Sequence, residues 1–250
     1  AAGIAVVAEG SLAGPVIDAE MKIDTHYGAI AEKAVVLKPS ALSPSAKAVK
    51  DFEKTFGLSW ADALAKGQVY NAMDACAKLG IDGDGLDKKW ATLKRGTNLI
   101  KFGGGFYCGQ VDGVFIVNGF YISMREKFTK PDCEIYYYLV EWPTAALPWE
   151  DFRGKVLGGT NPHEAEQGSL RRTIAQDWSA LGLAATPDTG DNGVHASASP
   201  FEALAERLNW VGAKLDQDAY GKAMLAAGIP PKVIMAWSSD PQVNLPGGGK

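Results

Sequence analysis

The alternation of apolar and polar residues predicts a chain built from both strands and helices. Residues 134–142 read EIYYYLVEW, a run of aromatic and branched residues typical of a strand, and the shorter apolar run Ala34–Leu37 also predicts a strand. Between about 44 and 95, apolar residues such as Phe52 and Phe56 recur at helical spacing. The pattern therefore indicates a mixed α/β protein with a helical segment in its first half, and the strand over 134–142 is expected to lie beside the one that ends at Lys38.

The centre and the end of the chain follow the same logic. Two strands are predicted in 106–117 around the turn Asp112-Gly113, and a helix over 119–128. A helix is expected within 214–227, stopped by Pro230-Pro231, and the tail Leu245–Lys250 is expected to lie over a surface.

The segment around His195 carries the first candidate chemistry. Ser199 is a good N-cap, and Glu202 stands where a capping box places an acid, so a helix is predicted from Pro200. Glu206 lies one turn beyond Glu202 and could point back toward His195. A histidine held by a carboxylate is a competent nucleophile toward phosphorus, whereas a lone histidine beside a helix start is also an ordinary structural residue.

A second segment offers groups suited to phosphate. Thr160 follows the pair Gly158-Gly159, where the backbone can approach a ligand closely, and Arg171-Arg172 follow another turn. Arginine is the natural clamp for phosphate oxygens, although two adjacent arginines are also common on solvated surfaces.

These segments, taken together and in order, resemble nucleoside diphosphate kinase. That family shows a G-x-T-N-P stretch, a P-G-T-I-R stretch and an N-x-x-H-G-S-x-S signature. Here they read Gly158–Pro162, Gly168–Arg171 and Asn192–Ser199, followed by Glu206, and the register is kept within each stretch. The resemblance implies a ferredoxin-like antiparallel sheet covered by helices.

The resemblance also implies a reaction. His195 would accept the γ-phosphoryl of a nucleoside triphosphate and pass it to a nucleoside diphosphate, with Mg²⁺ carried by the nucleotide phosphates. Glu206 would hold the histidine and Ser197 would support that bond. The nucleotide contacts implied by the resemblance are Lys38, Thr160, Arg171, Asn192, Tyr107 and Phe115.

The chain departs from the family pattern at one phosphate-binding position and in length. Gly154 stands where the family has an arginine, flanked by Arg153 and Lys155, and Arg172 is a further candidate replacement. The loop before Asn192 is longer than in the family. The expected organisation is an N-terminal extension over 1–32, a kinase-like domain over 33–210 with an insertion at about 44–96, and a C-terminal extension over 211–250.

Composition limits the classes of partner and the cellular compartment that can be expected. A formal net charge of -4 argues against a dedicated nucleic-acid binder, and no apolar run reaches the length of a membrane span. Three cysteines without metal-ligand spacing predict no protein metal site and fit a reducing compartment, which makes a cytoplasmic location the expectation. The expected partners are nucleoside tri- and diphosphates and other subunits, either as a homo-oligomer or within a larger assembly.

Two functions from different classes remain open at this point. One is an active phosphotransferase with an enlarged scaffold. The other is a catalytically weak or inactive relative that serves as a structural subunit or interaction module, which the glycine at position 154, the inserted segment and the tail would favour. We favour the enzyme because the histidine, its glutamate and most of the phosphate contacts keep their register.

Overall fold

The computed structural model describes residues 3–239, and these divide into two compact units. The first unit comprises residues 3–10 and 136–234, and the second comprises 11–135 and 235–239. The expected tail Leu245–Lys250 lies outside the described residues. The mixed α/β class predicted from the sequence is confirmed.

The strands are β1 Ala5–Ala13, β2 Val69–Asn71, β3 Leu99–Gly103, β4 Phe106–Val111, β5 Val114–Val117 and β6 Glu134–Glu141. The helices up to the fourth strand are α1 Gly14–Ala19, α2 Lys22–His26, α3 Gly28–Ala31, α4 Ala46–Phe56, α5 Trp60–Ala65, α6 Ala72–Leu79 and α7 Gly83–Trp90. The later helices are α8 Tyr121–Thr129, α9 Trp149–Asp151, α10 Leu170–Asp177, α11 Pro200–Trp210, α12 Ala219–Ala226 and α13 Pro231–Ser239. Two π-helical turns, Glu32–Val36 and Phe152–Leu157, and a 3₁₀ turn, Pro39–Ala41, complete the described elements.

A four-stranded sheet in the order β2-β5-β4-β3 forms the centre of the second unit. The β4–β5 and β3–β4 pairs are antiparallel, but β2 runs parallel to β5. The parallel pair distinguishes this sheet from the all-antiparallel one implied by the resemblance. The ferredoxin-like arrangement stays a prediction.

One side of this sheet packs on an aromatic core. Phe52 of α4 is fully buried and lies edge-on to Phe115, with ring centroids 4.8 Å apart. Trp60 of α5 and Phe102 of β3 complete a cluster of mutually tilted rings, with Trp60 and Phe102 centroids 5.3 Å apart. Aromatic pairs in these orientations add about 0.5–1.5 kcal/mol each beyond their area burial, so α4 and β3 are held firmly together.

Glu134–Glu141 is a strand, as predicted, but its partner is β1 in a separate two-stranded sheet. The prediction that this strand lies beside one ending in Lys38 was wrong. Ala34–Leu37 is also not a strand, since a π-helical turn covers Glu32–Val36. Ala31 and Ala34 are both buried, and their spacing of three residues puts them on one helix face. The apolar run 34–37 has only four residues, which is too short for its periodicity to distinguish a helix from a strand.

The predicted helices over the insertion are confirmed as α4, α5, α6 and α7. Each begins at a side-chain cap: Ser45, Ser59, Asn71 and Asp82 accept a hydrogen bond from a backbone N–H in the first turn. The Asp82–Gly85 stretch is therefore a turn and helix cap. No helix within residues 3–239 combines the length and the apolar character that crossing a bilayer requires.

Candidate active site

The start of α11 fixes the chain that carries His195. Ser199 accepts a hydrogen bond from the N–H of Glu202 at 3.1 Å, and the Glu202 carboxylate accepts one from the N–H of Ala198 at 2.8 Å. This reciprocal cap sets the direction in which residues 195–198 leave the helix, as predicted from the Ser-Pro-x-Glu pattern. The helix then places Glu206 on the side that faces them.

His195, Glu206 and Ser197 form a hydrogen-bonded group. The Nε2 atom of His195 lies 2.7 Å from Oε1 of Glu206, and the Ser197 hydroxyl donates to Oε2 of the same carboxylate. A carboxylate accepts only, so Nε2 donates this hydrogen bond and, in the neutral form of the ring, the lone pair lies on Nδ1. The His195 side chain is 52% exposed and that of Glu206 16%, so the carboxylate is sheltered while the imidazole faces solvent.

Within residues 3–239 the segment around His195 pairs with no strand, and side chains from elsewhere in the first unit bond its carbonyl groups instead. Arg171 donates to the carbonyl of Val194 through Nε at 3.2 Å and Nη2 at 2.9 Å, and to that of Gly158 through Nη1 at 2.9 Å. The guanidinium thus ties the glycine turn before Thr160 to the histidine segment. Arg171 is only 7% exposed, and burial, together with the nearby charge of Arg153, lowers the pKa of its guanidinium.

Two further side chains hold the next carbonyl groups. Trp149 donates from its indole nitrogen to the carbonyl of Ser197 at 2.9 Å, and Arg153 donates to that of Ala196. Trp142 stacks on Phe152 with centroids 4.5 Å apart and is 5.0 Å from Trp149, which steadies this helical turn. Donors therefore lie on the carbonyl groups of residues 194, 196 and 197, on both sides of the histidine.

The remaining predicted phosphate and ribose contacts of this unit are also close to one another. Asn192 donates from Nδ2 to the carbonyl of Thr160 at 3.2 Å. Thr160 is exposed and Asn192 is half-buried. Together with Arg171, this contact places the Thr160 turn beside the segment that leads into His195.

Lys38, Tyr107 and Phe115 belong to the second unit and lie in different surroundings there. Lys38 forms an ion pair with Asp74 at 2.7 Å. The Phe115 side chain is 3% exposed inside the aromatic core, so its ring is not accessible for the nucleotide contact implied by the resemblance. The Tyr107 ring lies 5.6 Å below the ammonium of Lys101.

Arg153 and Arg172, two of the cations that could replace an arginine at position 154, lie in different surroundings. Arg153 bonds the segment next to His195, and its charge acts on Arg171. Arg172 instead donates to the carbonyl of His163. Adjacency to position 154 marked Arg153 and Lys155 alike as possible replacements, and no pattern around Trp149 indicated its bond with Ser197.

The first unit thus presents an exposed histidine braced by a sheltered carboxylate, with cationic and hydroxyl groups on the neighbouring turns. Comparison with known proteins adds a distant relationship. The chain is similar to the nucleoside diphosphate kinase of Persephonella marina (strain DSM 14350 / EX-H1), with 31% identity over 93 residues. That match covers 35% of this chain and 56% of the kinase. No family model and no solved structure matches the chain.

Proposed function

We propose that the protein is a nucleoside diphosphate kinase-like phosphotransferase that works through phospho-His195. The observation that carries the proposal is the hydrogen-bonded group of His195, Glu206 and Ser197. Partial sequence similarity to a nucleoside diphosphate kinase gives independent support for the proposal. Nucleoside tri- and diphosphates are the proposed substrates, and Mg²⁺ is proposed to arrive on their phosphates.

The first half-reaction uses the lone pair on Nδ1. Nδ1 attacks the γ-phosphorus of the triphosphate, the bond from that phosphorus to the bridging oxygen breaks, and the diphosphate leaves with the electron pair. The ring becomes positively charged as the N–P bond forms, and Glu206 stabilises that charge through the proton on Nε2. In the second half-reaction a terminal oxygen of another diphosphate attacks the phosphorus and the N–P bond breaks.

The neighbouring turns are proposed to hold the phosphates. Three of the five N–H bonds of Arg171 reach protein carbonyls, which leaves two for phosphate oxygens. Thr160 is proposed to donate its hydroxyl to the same phosphate, and Asn192 to reach the ribose. Arg153 is proposed to supply the second guanidinium in place of an arginine at position 154.

Labelling with ATP that carries radioactivity on its γ-phosphoryl group tests the proposal. The full chain should take up acid-labile, alkali-stable label, as phosphohistidine does, and GDP should discharge it. His195→Ala should abolish labelling. His163→Ala is the matched control, because that histidine lies in the same unit and contacts the Pro187 carbonyl at 2.9 Å instead of a carboxylate. Uptake that survives His195→Ala would refute the assignment.

Position 154 offers a direct test of the arginine replacement. A Cβ built at Gly154 meets no heavy atom within 4 Å, so Gly154→Arg should fold normally. If Arg153 already supplies the cation, Gly154→Arg changes the labelling rate less than about threefold while Arg153→Gln lowers it more than tenfold. A large gain in labelling rate from Gly154→Arg, with no loss from Arg153→Gln, would show that Arg153 does not replace the arginine at position 154.

The alternative, an interaction module with weak or no turnover, is favoured by the surface of the two-stranded sheet. Tyr136 and Tyr138 of β6 are 71% and 57% exposed, and Val6 and Val7 of β1 are 57% and 53% exposed. Exposed apolar surface of this kind is common at protein interfaces. Sedimentation of the full chain distinguishes a homo-oligomer, which the kinase proposal also expects, from a monomer that needs another partner.

A further inference from the structure

A groove of about 330 Å³ lies in the second unit, between the last turns of α4 and strand β3. It belongs to the segment for which the kinase resemblance gives no role. Its lining residues are Asp51, Lys54, Thr55, Arg95, Gly96, Leu99, Ile100 and Lys101.

The charges around the groove are unbalanced. Lys54, Arg95 and Lys101 are exposed cations, and Asp51 is the one acid among the lining residues. Asp51 is already engaged by Lys47 at 2.6 Å. Within residues 3–239 the structure gives neither Lys54 nor Arg95 an acidic partner. The groove is therefore a region of positive potential on a chain whose net charge is negative.

Hydrogen bonds and the aromatic core brace the framework of the groove. The turn that carries Arg95 is closed by a bond from the N–H of Gly96 to the carbonyl of Leu99 at 2.9 Å. The next turn residue, Asn98, accepts from the N–H of Lys94 at 2.6 Å. The aromatic core already holds α4 against β3, so the cations project from elements that do not have to be ordered on binding.

The floor of the groove carries two apolar residues of β3. Ile100 is 6% exposed and belongs to the aromatic core, while Leu99 is half-buried beside it. Pockets for small molecules typically occupy about 300–1,000 Å³ and combine an apolar lining with a few convergent polar groups. This groove combines those features with three cations.

We propose that this groove binds a small molecule that carries phosphate groups, with its phosphates on Lys54, Arg95 and Lys101 and its apolar part against Leu99 and Ile100. Arginine forks match phosphate oxygens in geometry, and lysines add point charges. Thr55 adds a hydroxyl at the rim. The proposal does not depend on phosphotransfer at His195, because all of its residues lie in the other unit.

The test is hydrogen exchange followed by mass spectrometry on the full chain, at low salt, with inorganic pyrophosphate as the probe. Binding should slow exchange in peptides that cover residues 94–101, and the apparent affinity should fall as salt is added. Lys54→Gln/Lys101→Gln should weaken this protection at least tenfold. Lys66→Gln/Lys78→Gln removes the same charge from exposed positions outside the groove and should change it less than twofold.

A second probe distinguishes the possible sources of phosphate. ATP that protects 94–101 at much lower concentration than pyrophosphate would identify a nucleotide whose base uses the apolar floor, and equal potency would identify the phosphate groups alone. Either result supports the proposal. It is overturned if neither probe slows exchange there, if the control pair loses protection equally, or if only a DNA oligonucleotide protects the segment. Arg95→Gln repeats the test with a single change at an exposed residue.

Discussion

The exchange Arg171→Lys tests whether one buried guanidinium holds the histidine segment in place. Arg171 donates three hydrogen bonds to two carbonyl groups, those of Gly158 and Val194, at 2.9–3.2 Å. A lysine keeps the positive charge, but its single ammonium cannot span both carbonyls in the geometry of the planar fork. The variant therefore removes the cross-link between the two turns while leaving the net charge unchanged.

The magnitude follows from the bonds that are lost. Hydrogen bonds to charged groups contribute about 1.5–3 kcal/mol each, and a lysine retains one or two of the three. Allowing for water that enters the opened site, we expect Arg171→Lys to lower the free energy of unfolding of the first unit by about 2–4 kcal/mol. The same conservative exchange at Arg95, an exposed residue of the second unit, should change the free energy of unfolding of that unit by less than about 0.5 kcal/mol.

Urea unfolding measures this difference. It should be followed both by tryptophan fluorescence, which includes the neighbouring Trp142 and Trp149, and by circular dichroism. Agreement of the two signals tells whether the units unfold together or in separate transitions. A loss below 0.5 kcal/mol for Arg171→Lys would show that Gly158 and Val194 do not need this residue, and the bracing account would have to be abandoned.

Three further changes probe other contacts. Glu206→Gln keeps the shape of the side chain that faces His195 but removes its charge, so labelling by ATP should slow about 10–100-fold. Circular dichroism should show that the variant is still folded. An unchanged labelling rate would exclude the charge-stabilising role of Glu206. Arg125→Met removes the Nε–H that contacts both oxygens of the buried Asp24 carboxylate, and should cost about 3–5 kcal/mol in thermal or urea unfolding. A loss under about 1 kcal/mol would mean that water replaces the guanidinium. Burial alone would raise the pKa of Asp218, but the hydrogen bonds from Arg207 and from backbone N–H groups outweigh it and lower that pKa. The stability that Asp218 adds is therefore present above its unfolded pKa of about 3.9, and it is lost as the pH falls through the lower folded value. Asp218→Asn should therefore lose less stability than the parent chain between pH 5 and pH 2, and an equal loss would contradict the shift.

The elements that could be predicted from the sequence are those whose signals are local. Helix α11 has its cap, first-turn proline and reciprocal acid within four residues, and β6 has an unbroken run of strand-forming side chains. The contact of Glu206 with His195 depends on the same helix, because α11 carries Glu206 and its cap directs the segment that carries His195, eleven residues earlier. Local chemistry thus leads directly to the centre of the candidate site.

The elements that could not be predicted depend on contacts distant in sequence. The apolar run at Ala34 is helical because Ala34 and Ala31 bury the same face in the core of the second unit. Pro230-Pro231 predicts the end of a helix, and α12 does end before it, at Ala226. Proline is also favoured in the first turn of a helix, and α13 begins at Pro231. The bond from Trp149 to Ser197 spans 48 residues, and no pattern around either residue announces it.

The most direct test of the central claim is to locate the phosphoryl group after brief exposure of the pure, full chain to ATP and Mg²⁺. Mass spectrometry under alkaline conditions should find it on His195, removable by GDP and absent from His195→Ala. A folded protein that acquires no phosphoryl group, or that acquires it at another residue, would contradict the account.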